Sequence, residues 1–309
     1  MASANRDWAK QSPYDRFFDF ISPGADRYKI LVERINSLRL NSTVVNVAGN
    51  RHILIFPPGQ KSVRDAGAFP FKGGSPFMLV AHYDRVAGSP GANDNSIAVF
   101  HLLSAAAALA RKVPPCRWII VFTDKEELIK GEGFANLGSF TLAEKMKSWG
   151  LHKAKIFNFD ACGSGGTLVL STTANLLLKN VERANISALK KNAAALRDHA
   201  LETAGRLRMK KVILAPAPFC DDIGFLRAGL AAQTATMLPD AEAGQYEALL
   251  RERPDFADLL ISGEISNSPA RRLLPGTWRG LNRPTDGPSL LTPEHFDMVV
   301  RFAVELCRN

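Results

Sequence analysis

The spacing of apolar residues changes period along the chain, and each change marks an element. Between residues 14 and 40, apolar side chains recur at helical spacing: Phe17, Phe18, Phe20 and Ile21, then Tyr28, Leu31, Ile35 and Leu38. Ser22-Pro23-Gly24 interrupts the run and predicts two short helices rather than one. Residues 43–47 and 52–56 are β-rich runs flanking Ala48-Gly49-Asn50-Arg51, the pattern of a hairpin. Residues 57–75, rich in Gly, Pro and Lys, read as a surface loop.

Beyond that loop the pattern alternates. Residues 77–81, 118–122, 155–159, 167–170 and 231–237 are short apolar runs of strand length, and residues 96–111, 142–148, 184–206 and 293–307 carry helical patterns between or after them. Strands that are apolar throughout need cover on both faces. The 96–111 stretch is Ala-rich and apolar on most faces, as expected of a helix packed on a sheet. The expectation is an α/β protein folding as a single domain over residues 1–309.

Composition narrows this without changing it. At 46% hydrophobic and 22% charged residues the chain has the profile of an ordinary globular protein. No segment offers about 18 consecutive uncharged apolar residues, and the start, MASANRDWAKQSPYDRFF, lacks a basic stretch followed by an apolar one. A cytoplasmic protein with no membrane partner is expected. Cys116, Cys162, Cys220 and Cys307 show no C-x-x-C spacing, which fits a reducing compartment and argues against a zinc knuckle. The formal charge of +9 is spread along the chain, and no nucleic-acid-binding module accompanies it, so no nucleic-acid partner is expected.

The chemistry lies where apolar runs stop. In open α/β sheets ligands bind beyond the carboxyl ends of strands. Residues 77–81 run into His82-Tyr83-Asp84, residues 118–122 into Thr123-Asp-Lys-Glu126-Glu127, and residues 156–159 into Asp160. Asp94 sits in Gly91-Ala-Asn-Asp-Asn95 at the mouth of the Ala-rich helix. Taken singly, each is an ordinary loop start or helix cap. Together, an imidazole and several carboxylates leaving neighbouring strands at one end repel one another unless a cation offsets them.

This order of motifs, H-x-D, G-A-N-D-N, F-T-D-K-E-E and F-D, resembles the co-catalytic zinc aminopeptidases and the related glutaminyl cyclases. The likeness extends to P-F-C-D-D-I-G-F-L-R-A-G-L-A and to the C-terminal N-R-P-T-D-G-P-S-L-L-T-P-E-H-F. It implies the zinc-exopeptidase fold: three α/β/α layers around a mixed, mostly parallel sheet with helices on both faces. It implies one or two zinc ions, with His82 and Asp160 on the first, Asp94 bridging, and Glu127 on the second. Glu126 would be the general base and Asp84 the acid that orients the imidazole. Adjacent residues on an extended backbone point to opposite sides, which suits separate tasks for Glu126 and Glu127.

One position departs from the pattern. Where the family places a further His ligand, the frame Trp278-Arg-Gly-Leu-Asn282-Arg-Pro-Thr-Asp286 holds Asn282, whose amide oxygen is a weaker zinc donor than imidazole. His295, in T-P-E-H-F, reads as a surface or packing residue, and His52, His101, His152 and His199 read as structural. Asp221 and Asp222, with Trp278, are candidates to line the substrate pocket. The expected reaction is removal of N-terminal residues from peptides, on a peptide or amino-acid-derived small substrate. Glutaminyl-cyclase-like acyl transfer and a catalytically silent peptide- or partner-binding relative are the alternatives, the latter because of Asn282.

Overall fold

The computed structural model describes residues 7–10, 12–60, 75–112, 117–128, 131–179, 186–218, 221–261 and 269–308. Most of the expected 57–75 loop, and Cys116 and Cys220, lie outside the described residues.

The helices α1 (Phe17–Ile21) and α2 (Arg27–Ser37) form where the interrupted apolar pattern places them, with Asp26 capping α2 by accepting the Lys29 N–H at 2.9 Å. The hairpin strands are β1 (Asn41–Val47) and β2 (Asn50–Phe56). Val47 pairs with Asn50, so only Ala48 and Gly49 form the turn, at φ +50° and +86°. Both central residues are left-handed, which is the geometry that matches strand twist in a two-residue hairpin. The second strand therefore starts two residues earlier than the β-branched run alone implies.

The other strands are β3 (Phe77–His82), β4 (Trp118–Thr123), β5 (Lys155–Phe159), β6 (Thr167–Ser171), β7 (Val212–Ala215) and β8 (Ala232–Leu238). Among the described residues they form one eight-stranded sheet in the order β1-β2-β4-β3-β5-β8-β6-β7. β4, β3, β5 and β8 run parallel; β2 joins β4, and β6 joins β8, antiparallel. The expected mixed, mostly parallel sheet is present.

Alternating residues of the central strands feed two cores. Phe77, Leu79 and Ala81 of β3 face α1, α2, α3 (Ile97–Leu109), α6 (Ile186–Arg206) and α11 (Phe296–Leu306). Met78 and Val80 face α4 (Gly138–Ser148) and α7 (Asp221–Arg227). Between these lie α5 (Thr173–Lys179), α8 (Asp240–Glu252), α9 (Asp255–Ile261) and α10 (Gly276–Gly280). Tyr246 of α8, Phe256 of α9 and Trp278 of α10 form a third apolar cluster against Val169 of β6 and Leu238 of β8. β3, β4 and β8 are buried at every position; β3 and β4 read as apolar runs up to their last residue, whereas β8 also buries Gln233, Thr234 and Thr236. No helix among the described residues is long and apolar enough to cross a membrane.

Candidate metal centre

Three adjacent parallel strands bring the donors to one rim. His82 is the last residue of β3, in register with Thr123 at the end of β4, and Asp160 follows β5 directly. Asp94 arrives from a single turn, Ala92–Ser96, that leads into α3. Gly91 makes that approach possible: at φ +59°, an added Cβ would stand 2.7 Å from the Asp94 carbonyl oxygen and 3.2 Å from Arg85 Cβ. Glu126 and Glu127 come from the loop after β4. That loop turns at Lys125 with φ +65° and is pinned where Gly138 donates its N–H to the Lys125 carbonyl at 2.9 Å. At Gly138 a Cβ would stand 1.7 Å from the Asp124 carbonyl oxygen, so glycine alone allows α4 to start so close.

The donor atoms converge. His82, Asp94 and Glu127 offer ligand atoms that all lie within 4.8 Å of one another. His82 Nε2 is 3.1 Å from Asp94 Oδ1 and 3.8 Å from both Asp160 Oδ1 and Glu126 Oε2. The opposite nitrogen, Nδ1, lies 3.4 Å from Asp84 Oδ1. The two edges of the imidazole are thus divided, Nε2 toward the donor cluster and Nδ1, buried without a well-aligned hydrogen bond, toward Asp84.

Asp84 also organises the acidic loop. Its Oδ1 accepts the Glu126 N–H at 3.2 Å and its Oδ2 the Glu127 N–H at 3.0 Å. These amides and His82 hold the Asp84 carboxyl below its ordinary value despite burial. Its neighbours go the other way. Burial, reinforced by Glu127, Asp160 and Asp221, pushes Glu126 well above the usual carboxylate range. Burial and the Asp94 charge raise Glu127 to about 9, and burial also raises Asp160. Burial opposes protonation of His82, but Glu126, Asp160, Asp84 and Asp94 outweigh it and hold the imidazole well above its ordinary value. Carboxylates crowded out of water repel one another, and a cation among them removes that repulsion.

The donor set fits such a cation. Glu127 Oε1 is buried without a hydrogen-bond partner, and one imidazole nitrogen with several carboxylate oxygens is the chemistry of a zinc site.

Residues to which sequence reasoning assigned no role hold the donors in place. Asn93 accepts the Gly163 N–H at 2.8 Å, and Asn95 donates to the Phe159 carbonyl at 2.8 Å, so the residues flanking Asp94 staple its turn to the loop carrying Asp160. Asp286 accepts the backbone N–H groups of Asn93 and Asp94, at 2.9 and 3.1 Å, and burial with the nearby Asp94 raises its carboxyl to about 7. Arg27, buried in α2, stacks over Phe20 with its Cζ 4.3 Å from the ring centroid, donates to the Asp84 carbonyl at 2.8 Å and bonds the Ser96 hydroxyl. In sequence Arg27 falls at helical spacing with Leu31 and Ile35, and that alignment with the apolar stripe was the available signal.

A cleft of about 430 Å³ opens over the cluster, lined by Asp94, Glu126, Glu127 and Asp160 together with Trp278 and Asn282. Asn282 is left-handed at φ +61°, a conformation Asn tolerates. Asp221 and Asp222 do not line the cleft. Asp221 is fully buried and accepts a hydrogen bond from the Thr123 hydroxyl, and burial raises its carboxyl to about 6. Asp222 is 2% exposed. The start of α7 buries both acids in the protein, and Ile223 of the same helix lines the cleft. His295 packs where a Cβ on Gly166 would touch its ring, away from the cluster. His52 and His101 are buried, and His199 stacks on Phe77.

The fold recurs in solved structures. A leucine aminopeptidase precursor from Bacteroides thetaiotaomicron aligns at TM-score 0.61 and 14% identity over 95% of this chain and 93% of its own. Porphyromonas gingivalis glutaminyl cyclase aligns at TM-score 0.58 and 14% identity over 94% of each chain. The zinc aminopeptidase BSAP from Bacillus subtilis aligns at TM-score 0.52 and 16% identity over 83% of this chain, which spans about half, 48%, of the length of that enzyme. No curated protein matches the chain in sequence. The sequence profile of Peptidase family M28 matches residues 69–241, more than half of the chain and the part that carries His82, Asp94, Glu126, Glu127 and Asp160, so the chain belongs to Peptidase family M28.

Proposed function

We propose that the chain is a metal-dependent hydrolase of the aminopeptidase type that releases N-terminal residues from peptides or small amino-acid-derived substrates. The observation that carries this reading is the convergence of His82, Asp94, Glu127 and Asp160, with Glu126 beside them, at one end of a cleft. When bound by these donors, one or two zinc ions supply Lewis acidity toward a carbonyl and lower the pKa of a water.

The remaining work falls to the chain itself. Glu126, with Oε2 at 3.8 Å from His82 Nε2, takes the proton of the attacking water and returns it to the leaving amine. Asp84 keeps Glu126 and Glu127 in place through their backbone amides and orients His82. Apolar walls, Trp278 among them, keep bulk water from the reacting bond.

Asn282 favours a second reading. It lines the cleft and offers no imidazole for a second cation, which leaves room for single-metal acyl transfer of the cyclase kind or for peptide binding without turnover. Metal per chain, measured by elemental mass spectrometry on protein purified without chelator or affinity-tag metal, is paired with assays of amine release from a peptide panel and of ammonia release from an N-terminal Gln peptide. Bound zinc with amine release supports the hydrolase. Ammonia without hydrolysis replaces it with a cyclase, and no zinc uptake with no turnover replaces it with a silent binder.

A further inference from the structure

The cleft is charged asymmetrically. Asp94, Glu126, Glu127 and Asp160 make one part acidic, whereas among the described residues the opposite part is lined by Leu260, Leu274, Trp278 and Leu281 with Asn282 and one cation, Arg271. Arg271 stands on the short turn Pro269–Leu273, followed by Leu274 and Trp278, which pack with Tyr246 and Phe256. It is the only Lys, Arg or His among the described lining residues.

Arg271 has no acidic partner among the described residues. Its Nη2 donates to the Arg279 carbonyl at 3.3 Å, and the charged group that perturbs it is another cation, Arg283. Burial and that like charge both lower its proton affinity, the reverse of what an ion pair does. The surrounding segment carries Arg271, Arg272, Arg279 and Arg283 and contains no acid between residues 269 and 285. A guanidinium beside another cation and without an acidic partner among the described residues is available to an anion, and its planar fork is shaped to receive a carboxylate through two parallel N–H donors. A cleft of about 430 Å³ also has the size of sites for small ligands rather than for long chains.

We infer that Arg271 anchors a carboxylate of the substrate, so that the cleft selects short peptides or acidic residues while the amine end meets the acidic cluster. The inference rests on the peptidase reading and names its substrate class. The carboxylate comes either from the C-terminus of a di- or tripeptide or from an Asp or Glu side chain, and the two sources share one recognition chemistry.

The test is calorimetric titration of the zinc-loaded full chain carrying Glu126→Gln, which keeps ligands intact, with Leu-Ala, Leu-Ala amide and Glu-Ala amide, each repeated after adding Arg271→Gln or Arg271→Lys. At least one carboxylate-bearing ligand should bind tenfold or more tighter than Leu-Ala amide. That preference should fall to within about twofold with Arg271→Gln and return in part with Arg271→Lys. Preference for Leu-Ala alone assigns the anchor to a C-terminus, and preference for Glu-Ala amide alone assigns it to a side chain. Equal affinities for all three ligands, no binding of any, or a preference that survives Arg271→Gln overturns the inference. Hydrolysis by the unsubstituted protein is scored separately. A preference without hydrolysis removes the peptidase reading and leaves the anchor, whereas hydrolysis without preference removes the anchor alone.

Discussion

Asp84 and Glu127 are joined by one hydrogen bond, the Glu127 N–H to Asp84 Oδ2 at 3.0 Å, and through it the acid behind His82 sets where the acidic loop lies. Asp84 Oδ1 takes the Glu126 N–H and also stands 3.4 Å from His82 Nδ1, so one carboxylate touches the two proposed ligands, His82 and Glu127, and the proposed base, Glu126. Asp84→Asn keeps one acceptor oxygen and loses the other together with the charge. The NH₂ group then faces an N–H donor. Removing such a support costs about 10- to 100-fold in metal affinity or activity. The expected outcome is a loss in that range for both zinc affinity and kcat, read by competition with a chromogenic chelator and by initial rates. Unchanged zinc affinity would separate Asp84 from the metal site.

Glu126 sits within reach of the same cluster but is assigned to the proton rather than to the metal. Glu126→Gln preserves shape and removes the base, so kcat should fall by about 10²- to 10⁴-fold with zinc per chain unchanged. Glu127→Gln should show the reverse order of effects, losing zinc first. The pair is measured side by side by elemental analysis and peptide hydrolysis. Equal zinc loss in both variants would mean that Glu126 is a ligand.

His82, Glu126, Glu127 and Asp160 were legible in sequence because they end or closely follow short apolar runs of strand length, whereas Asp94 lies in the turn before α3 and was legible from its place in the motif order. His82 and Asp160 needed only strand ends to be placed. Asn93, Asn95 and Asp286 were not, because an Asn or Asp in a turn reads as local capping, and their partners lie 70, 64 and 192 or more residues away. The buried fate of Asp221 was hidden for a related reason: two acids opening a helix are compatible with solvent, and the groups that meet Asp221 inside, Thr123 on β4 and Ser139 on α4, are distant in sequence. β7 escaped notice since four residues, Val212–Ala215, carry no measurable period, and α8 since it buries only Ala243 and Tyr246.

Asn282 gives a prediction in the direction of gain. It lines the cleft in a left-handed conformation that His also adopts more readily than most residues, so Asn282→His fits the backbone as it stands. Imidazole is the better zinc donor. The variant should take up more zinc per chain than the parent at equal free zinc and should hydrolyse peptides faster if a second ion assists. Elemental analysis across a zinc titration checks it. Identical uptake curves would show that residue 282 does not reach the metal.

His101 provides a prediction about stability that is independent of turnover. It is fully buried in α3, its Nδ1 lies 2.8 Å from the Tyr14 hydroxyl, and burial lowers its pKa to about 3, so it stays neutral in the folded protein. In the unfolded chain it titrates near the ordinary value of about 6.5. Below that pH the unfolded state binds a proton that the folded state refuses, so this contribution lowers stability as pH falls from about 6.5 toward 3 and is constant above that window. The loss reaches about 2 kcal/mol at pH 5. Buried carboxylates with raised pKa values, such as Asp286, act in the opposite direction, so the comparison must isolate the imidazole. His101→Asn places an amide near Nδ1 and removes the titration. Urea unfolding of parent and variant under the same metal load at pH 7.5, 6 and 5 should show the variant less stable at pH 7.5, with the gap narrowing by about 2 kcal/mol at pH 5. Parallel pH curves would mean that His101 takes up its proton in the folded protein, through an opening of the contact with Tyr14.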